Sequence, residues 1–296
     1  MANSLPKLDV RLDRPVDPLL LDILRRVDVV AREQDIDYFV VGALARDLIL
    51  LHVFGKDTGR ATRDVDLAIC LNDWGKLHTL KDTLVRRGGF FEQSKVAHRL
   101  IFRQAGGVFG IPLDLLPFGG VENTDATIAW PPDLDVVMNV AGFIEARNAV
   151  LMVEVADGFC IPVASLPALA VLKLIAWRDR HLDTTKDATD FLLIARHYHH
   201  AGNTDRLYET ESALLQVTDF DPEMAGAMLL GKDAAAICFV HTAQSIRTVL
   251  TNPQLRQRLV DQMLQMAISS VDDAGGLQVE RYLEAFRSGF MSSGQT

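Results

Sequence analysis

Two aspartates separated by one residue are the clearest chemical signal in the sequence. Asp64 and Asp66 flank Val65 in a segment where Leu67 and Ile69 are also apolar. This alternation predicts a β-strand on which side chains at i and i+2 point to the same face. Two neighbouring carboxylates raise each other's pKa unless a cation neutralises them. We therefore predict that both bind Mg²⁺, which takes carboxylate and phosphate oxygens; the alternative is a surface strand with two solvated acids.

A third acid, Asp114, stands in the apolar segment GIPLDLLPF. A buried carboxylate without a partner is strongly unfavourable, so it needs a metal ion or an arginine nearby. If its strand lies beside that of Asp64, three carboxylates converge. Such a cluster suits two-metal phosphoryl transfer, in which the ions bind a nucleoside triphosphate and polarise a hydroxyl. The alternative is a salt bridge to one of the neighbouring arginines.

A cationic stripe is predicted on the helix PALAVLKLIAWRDR, where Lys173 and Arg180 are seven residues apart and share one side. We interpret it as a contact for a triphosphate tail; the alternative is a solvated helix face. Asp187 and Asp190 follow on the next helix. Asp187 fits a helix cap in outline, whereas Asp190 is expected to pair with Lys173 or with an arginine.

The elements that must position these residues differ between the two parts of the chain. Gly42 follows a short apolar strand and opens a helix, a turn whose backbone N–H groups can face a phosphate. We predict the following elements before residue 165: helices 18–33, 43–53, 72–87 and 135–147, and strands 38–41, 63–71, 90–93, 98–104, 108–117, 150–155 and 160–163. From residue 165 onward we predict helices 166–181, 184–198, 203–216, 222–229, 232–249, 253–270 and 276–290.

This pattern predicts an α/β (α+β) fold with two domains. Residues 1–164 would form a catalytic domain with a mixed sheet flanked by helices. Residues 165–296 would form a helical domain that closes the nucleotide cleft. Residues 1–16 are expected to be a loosely held arm.

Composition excludes several other classes of protein. The 296 residues include 49% hydrophobic and 23% charged residues, as is usual for a globular protein. The net charge of −9 argues against a broad nucleic-acid surface, although not against a local basic cleft. Three widely spaced cysteines indicate reduced thiols and a cytoplasmic protein. The sequence contains neither a signal peptide nor an apolar run long enough for a membrane span.

Three motifs together resemble the nucleotidyltransferases of the polymerase-beta superfamily: Gly42 after a strand, Asp64-x-Asp66, and Asp114 on a later strand. Within that superfamily the chain most resembles the AbiEii/MenT type, the toxin of a type IV toxin–antitoxin pair. The segments that carry this resemblance are the entry Arg60-x-Thr62-x-Asp64-x-Asp66, the lysine helix with Lys173 and Arg180, and the stretch Lys186-Asp187-x-x-Asp190. It covers roughly residues 38–195.

The resemblance implies a nucleotidyltransferase that moves a nucleoside monophosphate from an NTP to a hydroxyl of RNA, tRNA or protein. Asp64, Asp66 and Asp114 would bind Mg²⁺ or Mn²⁺, Asp114 would act as or assist the general base, and Lys173 would hold the triphosphate. The expected nucleotide contacts are Gly42, Ala43, Arg46, Thr62, Arg180, Lys186, Asp187 and Asp190. The expected partners are an NTP, the acceptor and an antitoxin protein, with no membrane.

Two departures keep other interpretations open. The usual Gly-Ser or Gly-Gly is Gly42-Ala43 here, so a phosphate-binding hydroxyl is missing. CCA-adding enzymes and poly(A) polymerases share this core, but the residues after Asp114 lack their arginine-rich stretch. An aminoglycoside-type enzyme, whose small cationic acceptor would suit an acidic protein, and an inactive module that binds nucleotide or protein also remain. The acceptor, the preferred NTP and the oligomeric state are not determined.

Overall fold

The computed structural model describes residues 7–59, 62–93, 96–107, 109–267 and 275–292. Its contacts divide the chain into an N-terminal unit, Met1–Ala164, and a C-terminal unit, Ser165–Thr296. Arg60 of the predicted entry motif lies outside the described residues, as do the last three residues of the helix predicted over 253–270.

The N-terminal unit is built on an eight-stranded sheet whose spatial order is β1-β9-β10-β2-β3-β6-β5-β4. The bounds of its strands are β1 Lys7–Asp9, β2 Asp37–Val41, β3 Val65–Leu71, β4 Phe90–Glu92, β5 Arg99–Phe102, β6 Ile111–Gly119, β9 Val150–Ala156 and β10 Phe159–Ala164. Pairing is parallel between β1 and β9, β10 and β2, and β3 and β6, and antiparallel elsewhere. The predicted mixed sheet flanked by helices is therefore confirmed.

Helices of the N-terminal unit begin where the sequence supplies a cap. Asp17 caps α1, Pro18–Glu33, by accepting a hydrogen bond from the Leu19 amide, and Asp73 caps α3, Trp74–Arg86, in the same way. Helix α1 packs against β2 and α3, and α3 packs against β3 and β4. The four alternate residues of β3 on the buried face are fully enclosed: Val65, Leu67, Ile69 and Leu71.

Several sequence predictions for this unit need correction. Residues 7–9 are not a loose arm, because they form β1 against β9. The helix predicted over 135–147 is instead β8, Val137–Asn139, followed by α4, Phe143–Asn148. β8 pairs with β7, Thr127–Ala129, in a small second sheet. The alternating apolar residues there fit a strand as well as a helix, and pairing with β7 decides between them.

The C-terminal unit contains only helices among its described residues. Their bounds are α5 Leu166–Arg180, α6 Lys186–His197, α7 Thr204–Tyr208, α8 Ser212–Val217, α9 Pro222–Ile237, α10 Val240–Thr251, α11 Pro253–Ala267 and α12 Gly275–Ser292. The helix predicted over 203–216 is two short helices, and the break predicted at 230–231 is absent because α9 continues through it. Within the described residues, no helix is long and apolar enough to cross a membrane.

Candidate active site

Asp66 and Asp114 lie side by side on the central strands of the sheet. β3 and β6 are parallel, and their register pairs Asp66 with Asp114. Directly paired residues of neighbouring strands point to the same face, so both carboxylates belong to one site. The predicted adjacency of the Asp114 strand is confirmed. Asp64 is the residue before β3, where its side chain is exposed.

Gly42 packs directly against Asp66. Its φ is +68°, and a Cβ atom at this position would lie 2.0 Å from Oδ2 of Asp66. Val41, the residue before it, is the register partner of Asp66 on β2. Only glycine fits here, because a side chain would both strain the backbone and displace the carboxylate. The glycine turn and the second aspartate are therefore one structural feature.

The helix that follows the turn carries a buried ion pair. It comprises α2, Gly42–Asp47, and a wider π-helical turn over Leu48–Val53. The Arg46 side chain is buried and donates from Nη2 to Oδ1 of Asp47 at 2.7 Å, while Thr62 Oγ1 donates to Oδ2 of Asp47 at 2.6 Å. Asp47 thus fastens the segment that leads into Asp64. Arg46 and Thr62, predicted as nucleotide contacts, are joined through this carboxylate, and Ala43 is half-buried at the helix start.

Asp114 is held by an arginine that the sequence analysis did not single out. Arg99 on β5 is the direct register partner of Asp114, and its Nε and Nη2 donate to the two carboxylate oxygens at 2.6 and 2.7 Å. These hydrogen bonds and the charges of Asp114, Asp64 and Asp66 raise the pKa of Arg99 against the opposing effect of desolvation. The three carboxylates therefore share one counter-charge.

A simple count could have found this arginine. Arg99 lies seven residues before Gly106, and Asp114 lies seven residues after Gly107. A hairpin folded symmetrically about these two glycines places the two side chains opposite each other.

Beside this ion pair lies a group of aromatic rings. His98 Nε2 is 4.0 Å from Oδ2 of Asp114, and its ring lies 5.6 Å from that of Trp130, which in turn lies 5.3 Å from Trp74. Burial lowers the pKa of His98 more than the charge of Asp114 raises it. His98 is thus neutral at pH 7 and adds no positive charge to the site.

The C-terminal unit holds a second charged cluster, formed by α5 and α6. Lys173 Nζ lies 3.0 Å from Asp187 Oδ1 and 2.7 Å from Asp190 Oδ2. Arg180 donates to both oxygens of Asp187 at 2.6 and 2.9 Å. Asp187 does not cap its helix; it accepts these bonds while buried. The predicted pairing of Asp190 with Lys173 is confirmed, and Lys186 is exposed at the start of α6.

Charge pairing explains how this cluster stays ionised while buried. Burial would raise the pKa of Asp187, but hydrogen bonds from Arg180 and the charge of Lys173 hold it below the usual value. Burial would lower the pKa of Lys173, yet Asp190 and Asp187 together raise it. Two carboxylates and two cations leave the cluster neutral, so a phosphate would have to compete with the aspartates for Lys173.

As the side chains stand, the described residues contain no group of three acids, histidines or cysteines placed to bind one metal ion. Both oxygens of Asp114 are used by Arg99, so the arrangement predicted for three carboxylates is not formed. Asp64 and Asp66 nevertheless fit a divalent cation in their chemistry. With Asp114 and Arg99 they carry three negative charges and one positive charge, and two negative charges remain for a cation to balance.

A paired-strand carboxylate site beside a glycine turn defines a class of phosphoryl-transfer sites, and sequence comparison identifies the family. The chain belongs to the family described as "Nucleotidyl transferase AbiEii toxin, Type IV TA system", whose model matches residues 48–287. It is accordingly a nucleotidyltransferase enzyme. No curated protein matches the sequence.

Solved structures with a similar fold are distant in sequence. A nucleotidyltransferase-like antigenic protein from Paracoccidioides brasiliensis is 17% identical, with 70% of this chain and 93% of that chain covered and a TM-score of 0.41. A putative nucleotidyltransferase from H. pylori is 14% identical, with 95% and 100% covered and a TM-score of 0.39. The Thermotoga maritima CCA-adding enzyme complexed with tRNA is 12% identical, with 95% and 83% covered and a TM-score of 0.26.

Proposed function

We propose that this enzyme is a Mg²⁺-dependent nucleotidyltransferase that transfers a nucleoside monophosphate from an NTP to a hydroxyl of RNA or protein. The observation that carries the proposal is the placement of Asp66 between Gly42 and Asp114, with Asp64 at the start of the same strand. In the reaction, the acceptor oxygen bonds to the α-phosphorus as the bond to the β-phosphate oxygen breaks. Pyrophosphate leaves with that electron pair, and a carboxylate of the site accepts the hydroxyl proton.

Asp64 and Asp66 are the proposed metal ligands. A bound Mg²⁺ would supply charge for the phosphate oxygens and lower the pKa of the attacking hydroxyl. The chain's own contributions are separate from that. Gly42 lets Asp66 approach the backbone, and Asp47 holds Thr62 so that Asp64 begins the strand at a fixed position.

The proposed role of Lys173 and Arg180 is to bind the triphosphate of the same nucleotide. Arg180 is the more accessible cation, because its side chain is 54% exposed whereas that of Lys173 is 12% exposed. Family membership supports a further proposal, that the protein is the toxin of a type IV system and is neutralised by an antitoxin protein.

The test is a transfer assay with each α-labelled NTP, Mg²⁺, and total RNA or the protein itself as acceptor. We expect label in an acceptor with the wild-type enzyme and a loss of at least 100-fold with Asp64→Asn or with EDTA. Full activity of Asp64→Asn would contradict the metal role. Lys173→Gln should raise the KM for the nucleotide, and an unchanged KM would remove Lys173 from the triphosphate site. Label found only in a small cationic acceptor would identify an aminoglycoside-type enzyme.

A further inference from the structure

Arg99 has an unused hydrogen-bonding edge beside the carboxylate site. Its Nε and Nη2 atoms donate to Asp114, which fixes the plane of the guanidinium. A guanidinium has five N–H groups, and within the described residues Asp114 is the acceptor that Arg99 contacts. The Nη1 side therefore remains available, and the arginine side chain is 31% exposed, so a ligand can reach it.

The Arg99–Asp114 pair is a built feature of the sheet. Both residues lie on paired strands in direct register, and the Asp114 side chain is only 12% exposed. Removing one partner of a buried ion pair leaves an uncompensated charge, which costs about 3–5 kcal/mol. A metal ion that took Asp114 as a ligand would have to break this pair and leave Arg99 without its acceptor.

We propose that Arg99 is a catalytic residue that binds the phosphate oxygens of the nucleotide, and that Asp114 is a positioning residue that orients it instead of binding a metal ion. The proposal rests on the function proposed above and refines its site. Arginine suits this role because its planar fork can bind a carboxylate on one edge and a phosphate on another. Its charge supplements a single ion held by Asp64 and Asp66 as pyrophosphate leaves.

Kinetics of four full-length variants provide the first test: Arg99→Gln, Arg99→Lys, Asp114→Asn and the double variant Arg99→Gln/Asp114→Asn. We expect Arg99→Gln to lower kcat/KM by about 10²–10³-fold, mainly through kcat, as when one donor to a developing oxyanion is lost. Arg99→Lys should recover part of that loss. Asp114→Asn should reduce the rate in the wild-type background but have no further effect when Arg99 is already Gln. Equal losses from Asp114→Asn in both backgrounds would overturn the positioning role.

Metal binding, measured without nucleotide by Mn²⁺ electron paramagnetic resonance, tests the role of Asp114 independently of activity. The double variant removes one charge of each sign, so it should bind as many Mn²⁺ ions as the wild type, with an affinity within about threefold. A loss of more than tenfold would show that Asp114 is a metal ligand and would overturn the proposal. Because the double variant removes both partners, it also avoids the unpaired charge that could unfold a single variant.

Binding of inorganic pyrophosphate in EDTA, measured by calorimetry, tests the phosphate contact itself. Arg99→Gln should weaken it at least tenfold, whereas Arg103→Gln, four residues along on the same strand and stacked on Phe91, should not. Unchanged binding in Arg99→Gln would overturn the phosphate role. If the wild type transfers no label from any NTP, the proposed function fails, while the Mn²⁺ and pyrophosphate measurements still decide the roles of Arg99 and Asp114.

Discussion

At the scale of single residues, the site depends on charges placed where only one arrangement satisfies them. Arg46 is fully enclosed beside Asp47, Asp114 is paired with Arg99, and Lys173 lies between two aspartates. Such buried ions are tolerated because each has a partner, and they fix the direction of each side chain. The free energy of unfolding is therefore sensitive to removal of one partner.

Gly42→Ala is expected to abolish transfer, because the added methyl group would overlap the Asp66 carboxylate. The positive φ alone costs an alanine about 1–2 kcal/mol. Gly158 has nearly the same φ, +66°, with nothing within 4 Å of an added Cβ, so Gly158→Ala is a matched control. Thermal unfolding should show a comparable loss of stability from the backbone in both variants, and only Gly42→Ala should lose at least 100-fold in kcat. Equal activity of the two variants would contradict the close approach of Asp66.

Asp187 should make the C-terminal unit sensitive to acid. Its pKa is lowered in the folded state, so it stabilises the fold fully above its usual value of 3.8 and progressively less as the pH falls through the folded value. The free energy of unfolding from urea titrations should therefore decrease below about pH 4.

In Asp187→Asn this acid-dependent decrease should be smaller, although the variant is less stable at pH 7 because Lys173 and Arg180 each lose a partner. Asp205→Asn, which changes an exposed acid on α7, should keep the wild-type slope. A variant at position 187 with an unchanged slope would show that this carboxylate is not ionised at low pH in the folded protein.

At the scale of elements, α9 and α12 are packed backbone to backbone. Added Cβ atoms would lie 2.0 Å from the Phe286 carbonyl oxygen at Gly231 and 1.9 Å from the Met228 carbonyl oxygen at Gly289. Two glycines thus let these helices approach closely, and each is the cause of the contact rather than a helix breaker. This explains why α9 continues through residues 230–231, where the sequence predicts a break.

Gly231→Ala should lower the free energy of unfolding by about 1–3 kcal/mol, because the helices must separate to admit a methyl group. This outcome is opposite in sign to the gain of about 1 kcal/mol expected for the same change in an exposed helix. Ser288→Ala, next to Gly289 on α12, adds no atoms and should have a small effect. Chemical denaturation measures all three proteins, and a stabilised Gly231→Ala would contradict the close packing.

At the scale of the whole molecule, two units with separate cores divide the chemistry. The N-terminal unit carries the metal-binding carboxylates and Arg99, and the C-terminal unit carries the lysine cluster. The net charge of −9 is distributed over a protein whose proposed substrate is also an anion. Local cations such as Arg99 and Arg180 must therefore provide the attraction that the molecule as a whole does not.

Destabilisation of one unit should remain local, since domains with their own cores open as separate cooperative units. In Gly231→Ala, amide hydrogen exchange in α9 and α12 should accelerate, while exchange in β3 and β6 should match the wild type. Mass spectrometry of peptides from both units measures this directly. Equal acceleration in β3 and β6 would show that the two units unfold together.

The sequence by itself determined the strand that carries Asp66, the glycine turn, the lysine helix and the mixed sheet. Each of these follows from a local pattern: alternation on β3, a glycine between strand and helix, or apolar spacing on α5. Local patterns suffice where a residue's neighbours in the chain are also the neighbours that define its environment.

Only the tertiary structure decided how the charges are paired. Arg99 meets Asp114 because two strands take one particular register, and Lys173 meets Asp187 because α5 and α6 fold against each other. The same sequence is compatible with Asp114 bound to a metal ion or to an arginine, and with Asp187 as a helix cap or as a buried ion partner. Proximity in space chose between them, because electrostatic and hydrogen-bonding energies depend on distances that the order of residues alone does not set.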